Sequence, residues 1–327
     1  MLTRHVAEAL RESDRRIVIT GAGGWLGMAT LELLANALGE AFNGRICCFG
    51  SGSRDLELMT GVTIKQRPLD EIRDLPKVPS FVLHLAFLTK DRAEAMDEGQ
   101  YRAANRGLSG TVVEALDDLG ADGVFVASSG AAAVADDPSA SAAMRLYGSL
   151  KREDEEAFAA WAADRGKTAV ITRIHNLSGP HISLGKSYAL ASFIQAAQSG
   201  GPITVQASHD VVRGYVAIRE LMSLVFAILL GPAGQIRRFD SGGEPMEMGE
   251  IAAEVAAFFG GCPVERVARS TGRADVYVGD AETYRALLSE FAIPEVSFTN
   301  QVAETAQFLS GIWGQFGANR VAGAMKA

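Results

Sequence analysis

A glycine-rich turn near the N-terminus most constrains what this chain can fold into. An apolar strand pattern at Arg16–Thr20 runs into Thr20-Gly21-Ala22-Gly23-Gly24-Trp25-Leu26-Gly27, and a helix pattern follows as far as Leu38. Glycines let the backbone turn tightly and approach a pyrophosphate, whose charge then meets the helix N-terminus. The spacing is TGxxGxxG, since Leu26 stands where the last glycine of GxGxxG would fall. We therefore predict a dinucleotide-binding turn, with Gly21, Gly24, Trp25 and Leu26 at the cofactor.

Strand and helix patterns alternate through the first half of the chain. Short apolar strands interleaved with helices are typical of a parallel, doubly wound α/β sheet. Beyond Pro180 the alternation breaks down into mixed short elements. We expect residues 1–179 to form a Rossmann-type NAD(P)-binding domain. Residues 180–327 would form a smaller C-terminal substrate-binding region, partly interwoven with the first. After Arg16–Thr20, the predicted strands are Arg45–Phe49, Val62–Gln66, Ser80–Ala86, Gly123–Ala127 and Thr168–Arg173.

The composition of the chain argues against some classes of binding partner and indicates a cellular location. The net charge of -8 argues against nucleic acid or an anionic membrane, because both attract basic surfaces. The cysteines Cys47, Cys48 and Cys262 form no CxxC pattern, so buried reduced thiols are expected. The longest apolar run, Leu221–Leu230, is too short to span a bilayer, and the N-terminus does not resemble a signal peptide. We predict a soluble cytoplasmic protein.

Tyr147 and Lys151 stand four residues apart on a predicted helix that runs to Ala163. Residues at this spacing share a helix face. A nearby positive charge favours the phenolate and lowers the pKa of a tyrosine. The pair is therefore a candidate for proton transfer near neutral pH.

Several further motifs follow one another in an informative order. They are His84-Leu85-Ala86 after a strand, Asn105 through Thr111 on a helix, Ser128-Ser129 after another strand, Arg173 through Pro180, Arg213-Gly214-Tyr215-Val216, and Arg273-Ala274-Asp275. Together with the turn and the Tyr147/Lys151 pair, they resemble the extended short-chain dehydrogenase/reductase family over nearly the whole chain. This family contains NAD(P)-dependent nucleotide-sugar epimerases, dehydratases and ketoreductases.

The resemblance implies a role for each matched residue. Tyr147 would be the acid/base on the substrate oxygen, Ser129 would hydrogen-bond that oxygen, and Lys151 would bind the nicotinamide ribose. Leu85 and Ala86 would contact the cofactor. The implied substrate contacts are Ser128, Asn176, His181, Arg213 and Arg273. Of these, Asn176 and the two arginines would hold a diphosphate, which guanidinium groups match well.

The end of the second predicted strand bears on the choice of cofactor. NAD enzymes usually carry Asp or Glu there to hold the ribose 2′-hydroxyl, but here Gly50 stands in that position. Ser51, Ser53 and Arg54 follow and could bind a 2′-phosphate instead. The pattern favours NADP(H), with NAD(H) as the alternative. The other reading is a polar loop in which Arg54 points to water.

This chain departs from the family motifs at several positions, and these differences limit which of the family's reactions we expect it to catalyse. His181 follows Gly179-Pro180 as in GDP-fucose synthase, where this histidine is an acid, but Gly130 stands where that enzyme's partner cysteine belongs. A histidine contacting substrate or solvent is therefore favoured over a catalytic one. The usual GD after the third strand is missing, Gly214 replaces the aspartate of RDFV, and no histidine shows metal-ligand spacing. We predict no metal site.

The expected function is reduction of a keto-sugar attached to a nucleotide. The alternatives are a 4-epimerase or dehydratase that retains NAD, an enzyme acting on a non-nucleotide ketone or alcohol, and a cofactor-sensing protein without turnover. Sensing relatives tend to lose the tyrosine or lysine, and this chain keeps both. Relatives pair through the helices that correspond to Tyr101–Leu119 and Tyr147–Ala163, so a homodimer is expected.

Overall fold

The computed structural model describes residues 1–182, 188–269 and 272–311. Its largest element is an eight-stranded sheet in which every adjacent pair is parallel except the edge pair β3–β4. In spatial order the strands are β11 (Ile236–Asp240), β7 (Thr168–Ile174), β6 (Ala121–Ser129), β5 (Ser80–His84), β1 (Arg16–Thr20), β2 (Ile46–Gly50), β4 (Thr63–Pro68) and β3 (Arg54–Glu57).

The central strands are buried on both faces, as the apolar runs in the sequence predict. Ile17 and Ile19 of β1 pack into one core with helices α2 (Trp25–Leu38) and α8 (Ile218–Leu230). Val18, between them, faces a second core with α5 (Glu98–Leu119) and α6 (Ala142–Arg165). Successive side chains of a strand point to opposite faces, so one strand supplies both layers. The doubly wound Rossmann-type α/β fold is confirmed.

The remaining helices are shorter, and some of them belong to the smaller structure described below. No helix in the described part of the chain is long and apolar enough to cross a membrane. The other α-helices are α1 (Arg4–Glu12), α3 (Phe42–Arg45), α4 (Lys90–Ala95), α7 (Ala189–Gln198), α9 (Met248–Phe258), α10 (Ala281–Glu290) and α11 (Phe298–Leu309). Single 3-10 segments cover Gly39–Ala41, Leu69–Asp74 and Gly130–Val134.

A second, smaller structure lies beyond β7. Its strands are β8 (Asn176–Ser178), β9 (Ile203–Val205), β10 (Val211–Ala217), β12 (Pro245–Glu247), β13 (Val264–Arg266) and β14 (Asp275–Tyr277). Strand β10 pairs with β8, β12 and β14, and β9 pairs with β13. Helices α7, α9 and α11 share a separate apolar core here. Two later elements belong to the large sheet instead. Helix α8 packs into the first core of that sheet, and strand β11 extends the sheet at its edge.

Candidate active site

A cavity of about 620 Å³ opens above the carboxyl ends of the parallel strands and extends toward the smaller core. This is where ligands bind in open α/β sheets. The sheet side contributes Ser129 from the end of β6, and helix α6 contributes Tyr147 and Lys151. The opposite wall carries Asn176 and Arg213 together with apolar side chains of α7 and α9. The three residues predicted to be catalytic therefore lie in one cavity.

Ser129 lies between two tyrosines. Its hydroxyl lies close enough to that of Tyr147 to act on the pKa of the phenol, and its Oγ lies 3.1 Å from the hydroxyl of Tyr277. The amide of Ala131 donates to the same Oγ at 3.2 Å, which fixes the rotamer of the serine. Tyr277 comes from β14, 148 residues further along the chain, and sequence reasoning missed it.

The structure corrects the expected effect of Lys151 on Tyr147. Burial raises the pKa of the Tyr147 hydroxyl, against a smaller lowering by its hydrogen bond to Ser129. The Lys151 Nζ donates to the carbonyl of Ala127 at 2.7 Å and lies 3.7 Å from the centre of the Phe87 ring. That ring also packs against Tyr147, with 5.6 Å between ring centres. The ammonium is thus turned to a carbonyl and an aromatic face, and burial lowers its own pKa to about 8.

The glycine turn has the close contacts that a dinucleotide site requires. Gly21 has φ of 70°, and a Cβ there would lie 2.7 Å from the backbone nitrogen of Ala86. A Cβ on Gly27 would lie 2.4 Å from the carbonyl oxygen of Ala22, so helix α2 can pack closely on the turn only with glycine there. Gly24 caps the helix. The turn is therefore pressed against the end of β5, where Leu85 follows and lines the cavity.

Two further residues predicted at the cofactor, Trp25 and Leu26, also line the cavity. The Trp25 Nε1 donates to the carbonyl of Pro180 at 2.8 Å, and its ring packs edge-on against Tyr188 at 5.1 Å. Trp25 thus connects the first turn of α2 to the segments that begin the smaller structure.

The end of β2 has a partner that the sequence did not reveal. The buried Gln66 on β4 fills the space beside Gly50, where a Cβ would lie 2.5 Å from its carboxamide. The Gln66 Oε1 accepts from the Gly23 amide at 3.1 Å, and its Nε2 donates to the carbonyl of Gly52 at 2.9 Å. Gln66 therefore holds the glycine turn and the following loop together.

Arg54 lies across this same turn. A Cβ on Gly23 would fall 1.7 Å from an Arg54 Nη2, so the guanidinium covers the face that glycine leaves open. Ser51 and Ser53 are exposed on the loop before it. The structure thus places Arg54 on strand β3, with its guanidinium beside the turn.

The predicted substrate contacts divide between the cavity and the protein interior. Asn176 and Arg213 line the cavity, although the Arg213 guanidinium also binds the Asp275 carboxylate at 2.7 Å. Ser128 reaches the cavity wall, but its hydroxyl donates to the buried carboxylate of Glu155 at 2.5 Å. A serine engaged in this way is a structural residue rather than a free substrate contact.

His181 and Arg273 do not reach the cavity lining. The Nε2 of His181 lies 3.2 Å from the Glu32 carboxylate on helix α2, and its ring packs on Phe308 at 5.0 Å. Arg273 is exposed, and its charge lowers the pKa of Asp137 among other, larger causes. The expected pairing of Arg213 with Arg273 at one diphosphate is therefore not found: Arg213 lies within β10 and lines the cavity, whereas Arg273 precedes β14, whose first residue Asp275 pairs with Val211.

His175 lines the cavity beside these residues, although the sequence gave no reason to choose it. Its only sequence signal is its position at the end of a buried strand, between the matched residues Arg173 and Asn176. Within the described residues, no group of three or more His, Cys, Asp or Glu side chains is arranged to hold a metal ion.

The chain combines a Rossmann-type sheet with Ser129, Tyr147 and Lys151 in one cavity. The family model for the NAD dependent epimerase/dehydratase family matches residues 17–237, and the chain belongs to this family. Its members are extended short-chain dehydrogenase/reductase enzymes, as the motifs predicted. No curated protein matches the chain.

Solved structures share the fold at low sequence identity. Epimerase Mth375 from Methanothermobacter thermautotrophicus matches with a TM-score of 0.70 and 17% identity, over 95% of this chain and 97% of that one. UDP-N-acetylglucosamine 4-epimerase from Methanobrevibacter ruminantium matches at 0.71 and 16%, over 91% and 99%. UDP-glucose 4-epimerase from Thermus thermophilus, in complex with NAD, matches at 0.65 and 21%, over 90% and 99%.

Proposed function

We propose that the protein is an NADP(H)-dependent oxidoreductase that reduces a keto-sugar attached to a nucleotide. The observation that carries this proposal is the meeting of Ser129, Tyr147 and Lys151 with the glycine turn at one cavity. The bound cofactor would supply the hydride. The cavity is long enough to include a second, partly apolar wall from α7, β10 and α9 for the nucleotide part of the substrate.

The protein's own residues would position the carbonyl and supply the proton. Because burial raises the pKa of Tyr147, its hydroxyl is protonated at neutral pH and can donate to the carbonyl oxygen. Ser129 contacts Tyr147 and would hold the same oxygen. Lys151 would bind the nicotinamide ribose through an ammonium whose pKa of about 8 keeps it mostly charged at pH 7. A protonated phenol suits the reductive direction.

Contacts at the adenosine end support NADP(H). The Gln66 carboxamide occupies the space at Gly50 from which an acidic side chain would reach the ribose. No carboxylate therefore extends from that position to repel a 2′-phosphate, and Arg54 lies across Gly23 to bind one. Gly21, Gly24, Leu85 and Ala86 would enclose the pyrophosphate and the nicotinamide side.

A 4-epimerase that retains NAD is the second candidate. It is favoured by the fold shared with two UDP-sugar 4-epimerases, one of them in complex with NAD. The two proposals differ in a measurable way. A reductase releases its oxidised cofactor after each turnover, whereas an epimerase returns the hydride to the same sugar.

Two experiments test the proposal. A thermal-shift screen with NAD, NADP and UDP-, GDP-, CDP- and dTDP-sugars identifies ligands, because a ligand that binds only the folded state raises its melting temperature. NADPH oxidation is then followed with the keto-sugars of the nucleotide that binds. Tyr147→Phe should lower kcat about 10³-fold and leave NADPH binding unchanged. A melting shift with NAD and none with NADP contradicts the cofactor proposal, and undiminished turnover by Tyr147→Phe contradicts the mechanism.

We also propose a cytoplasmic homodimer that pairs through α5 and α6. The two helices already lie side by side in one chain, where Arg106 of α5 binds Glu153 of α6 at 2.8 Å. Light scattering of the purified protein measures the mass, and a monomer at micromolar concentration contradicts this assembly.

A further inference from the structure

The His175 ring occupies the space beside Gly130 into which a side chain at position 130 would project. Both His175 and Ser129, the residue before Gly130, line the cavity. Gly130 follows Ser129 directly, and a Cβ on it would lie 2.4 Å from the His175 Nε2 and 2.5 Å from its Cδ2. No side chain can stand at position 130 while the imidazole is in place. The missing side chain therefore admits a histidine ring next to the serine that contacts Tyr147.

The orientation of the ring is fixed by its other contacts. The His175 Nδ1 lies 3.1 Å from the carbonyl oxygen of Arg173, and the ring packs against Tyr277 with 4.8 Å between centres. Its backbone amide donates to the Ser241 Oγ at 2.9 Å. A carbonyl only accepts hydrogen bonds, so Nδ1 carries the proton and Nε2 keeps a lone pair. Among the described residues, none hydrogen-bonds Nε2.

The surroundings keep the ring neutral. Burial lowers the pKa of His175 and outweighs the Asp240 carboxylate and the hydrogen bond to the Arg173 carbonyl, which both raise it, and the Arg173 guanidinium lowers it further. The remaining titratable group packed against the ring is the Tyr277 phenol, and burial raises the pKa of that phenol. A neutral imidazole with a free lone pair is a proton acceptor at pH 7.

We propose that His175 is a second proton-accepting group of the active site, one that removes a proton from the carbon next to the substrate carbonyl. This inference rests on the proposed function, because it takes a nucleotide-linked keto-sugar as substrate. The carbonyl oxygen would be held by Tyr147 and Ser129 on one side, and His175 would face the adjacent carbon. The enzyme could then invert that carbon or exchange its hydrogen in addition to reducing the ketone.

The step is balanced without any further reactant. The C–H bond breaks, its hydrogen leaves as a proton to His175 Nε2, and its electron pair forms the C=C bond of an enolate. The carbonyl π pair moves to the oxygen, where the hydrogen bond from Tyr147 stabilises it. Return of a proton from the imidazolium restores the ketone. In D₂O the Nε2 proton of the imidazolium exchanges with solvent, so the hydrogen that returns to carbon is deuterium and its incorporation reports the step without cofactor turnover.

The tautomer can be measured before any sugar is known. Nitrogen–proton NMR spectra of the full-length protein distinguish an Nδ1–H from an Nε2–H imidazole, with His175→Phe used to assign the signal. We expect the Nδ1–H form, neutral at pH 7. An Nε2–H ring, or a charged one, overturns the proposal whether or not the protein acts on sugars.

Deuterium exchange then tests the chemistry. The probe is a dTDP-linked keto-deoxyglucose incubated in D₂O with the wild type, His175→Phe, His175→Gln and the control His5→Phe, which changes an exposed histidine on α1. We expect exchange at the carbon next to the carbonyl to fall by about 10²-fold or more in both His175 variants and not in the control. Reduction by NADPH should fall much less, because Tyr147 and Ser129 remain.

The possible outcomes separate the two proposals. Exchange that persists within threefold in His175→Phe overturns the role of His175, and so does a rise in KM with unchanged exchange, which would indicate binding alone. Loss of exchange in His175→Phe with reduction retained supports the role of His175, and loss of reduction in Tyr147→Phe supports the proposed function. A wild type that binds NADP but neither exchanges nor reduces the probe or the keto-sugars of the other nucleotides overturns the proposed function, and with it the substrate assigned to His175.

Discussion

The cofactor end and the substrate end of the cavity are built in different ways. At the cofactor end, consecutive residues form the site, since Gly21 to Leu26 make one turn against the end of β5. At the substrate end, the lining comes from β7, β8, α7, β9, β10 and α9, and its residues lie between Ile174 and Met248 in the chain. A site made from one short segment is readable from its motif. A site made from many elements depends on how those elements pack.

The difference also affects how charges are used. At the cofactor end, Arg54 lies on the glycine turn with an exposed guanidinium available to a ligand. At the substrate end, Arg213 already binds Asp275, and its side chain is only 19% exposed. A ligand phosphate would therefore have to share Arg213 with a carboxylate. We therefore expect substitutions at the two ends to change ligand binding by different amounts.

The largest expected effect is at the glycine turn. Gly21→Ala should weaken NADP(H) binding by about 10²-fold or more, because the new Cβ would press on Ala86 and φ of 70° is strained for alanine. Isothermal calorimetry with NADPH measures the loss. Gly44→Ala, where a Cβ meets nothing within 4 Å, is the matched control and should bind normally. Equal binding by both variants would mean that the turn does not hold the cofactor.

At the substrate end, the two arginines should behave unequally. Arg213→Gln should raise KM for the nucleotide-sugar about 10-fold, the size expected for one charge-assisted hydrogen bond. Arg273→Gln should change it less than twofold, since Arg273 is exposed and outside the cavity lining. Steady-state kinetics at fixed NADPH gives both values. The opposite order would restore the sequence-based assignment of Arg273, and no effect at Arg213 would favour a substrate without a diphosphate.

Arg54 sharpens the comparison from the cofactor side. Arg54→Gln should lower kcat/KM for NADPH about 10-fold and leave that for NADH unchanged, because only NADPH carries the 2′-phosphate. The ratio of the two values is the measurement. Arg11→Gln, at an exposed position of α1, serves as the charge control. An equal loss of kcat/KM with both cofactors would indicate that Arg54 stabilises the turn and does not bind the 2′-phosphate.

The last expected effect is on stability at alkaline pH and does not involve a ligand. Burial lowers the pKa of Lys151 to about 8, whereas in the unfolded chain it returns to the ordinary value of 10.5. Between these values the unfolded state binds more protons, so this group makes the protein more stable as the pH rises, by at most about 1.4 kcal/mol per pH unit. Urea melts of the wild type and Lys151→Met at pH 8 and pH 10 measure the difference. If the difference in unfolding free energy between the two proteins is the same at both pH values, the pKa of Lys151 is not lowered in the folded state.

Local patterns sufficed where neighbours along the chain make the structure. The apolar runs placed β1, β5, β6 and β7 correctly within a few residues, since buried parallel strands need continuous apolar side chains. Strand β11 was missed because Ile236–Asp240 is a charged edge strand, with two adjacent arginines. Strand β3 was missed for a similar reason: three of its four residues are exposed.

The sequence by itself determined the fold class, the glycine turn and the placement of Tyr147 and Lys151 on one helix, because each depends on spacing within one strand–helix unit. Tertiary structure alone decided which distant groups surround them. It placed Gln66 beside Gly50, Tyr277 on Ser129 and the His175 ring against Gly130, and it turned His181 toward Glu32. It also reversed the expected pKa shift of Tyr147, since burial outweighed the nearby lysine. Desolvation and contacts between strands far apart in the chain are set by packing, and no local pattern encodes them.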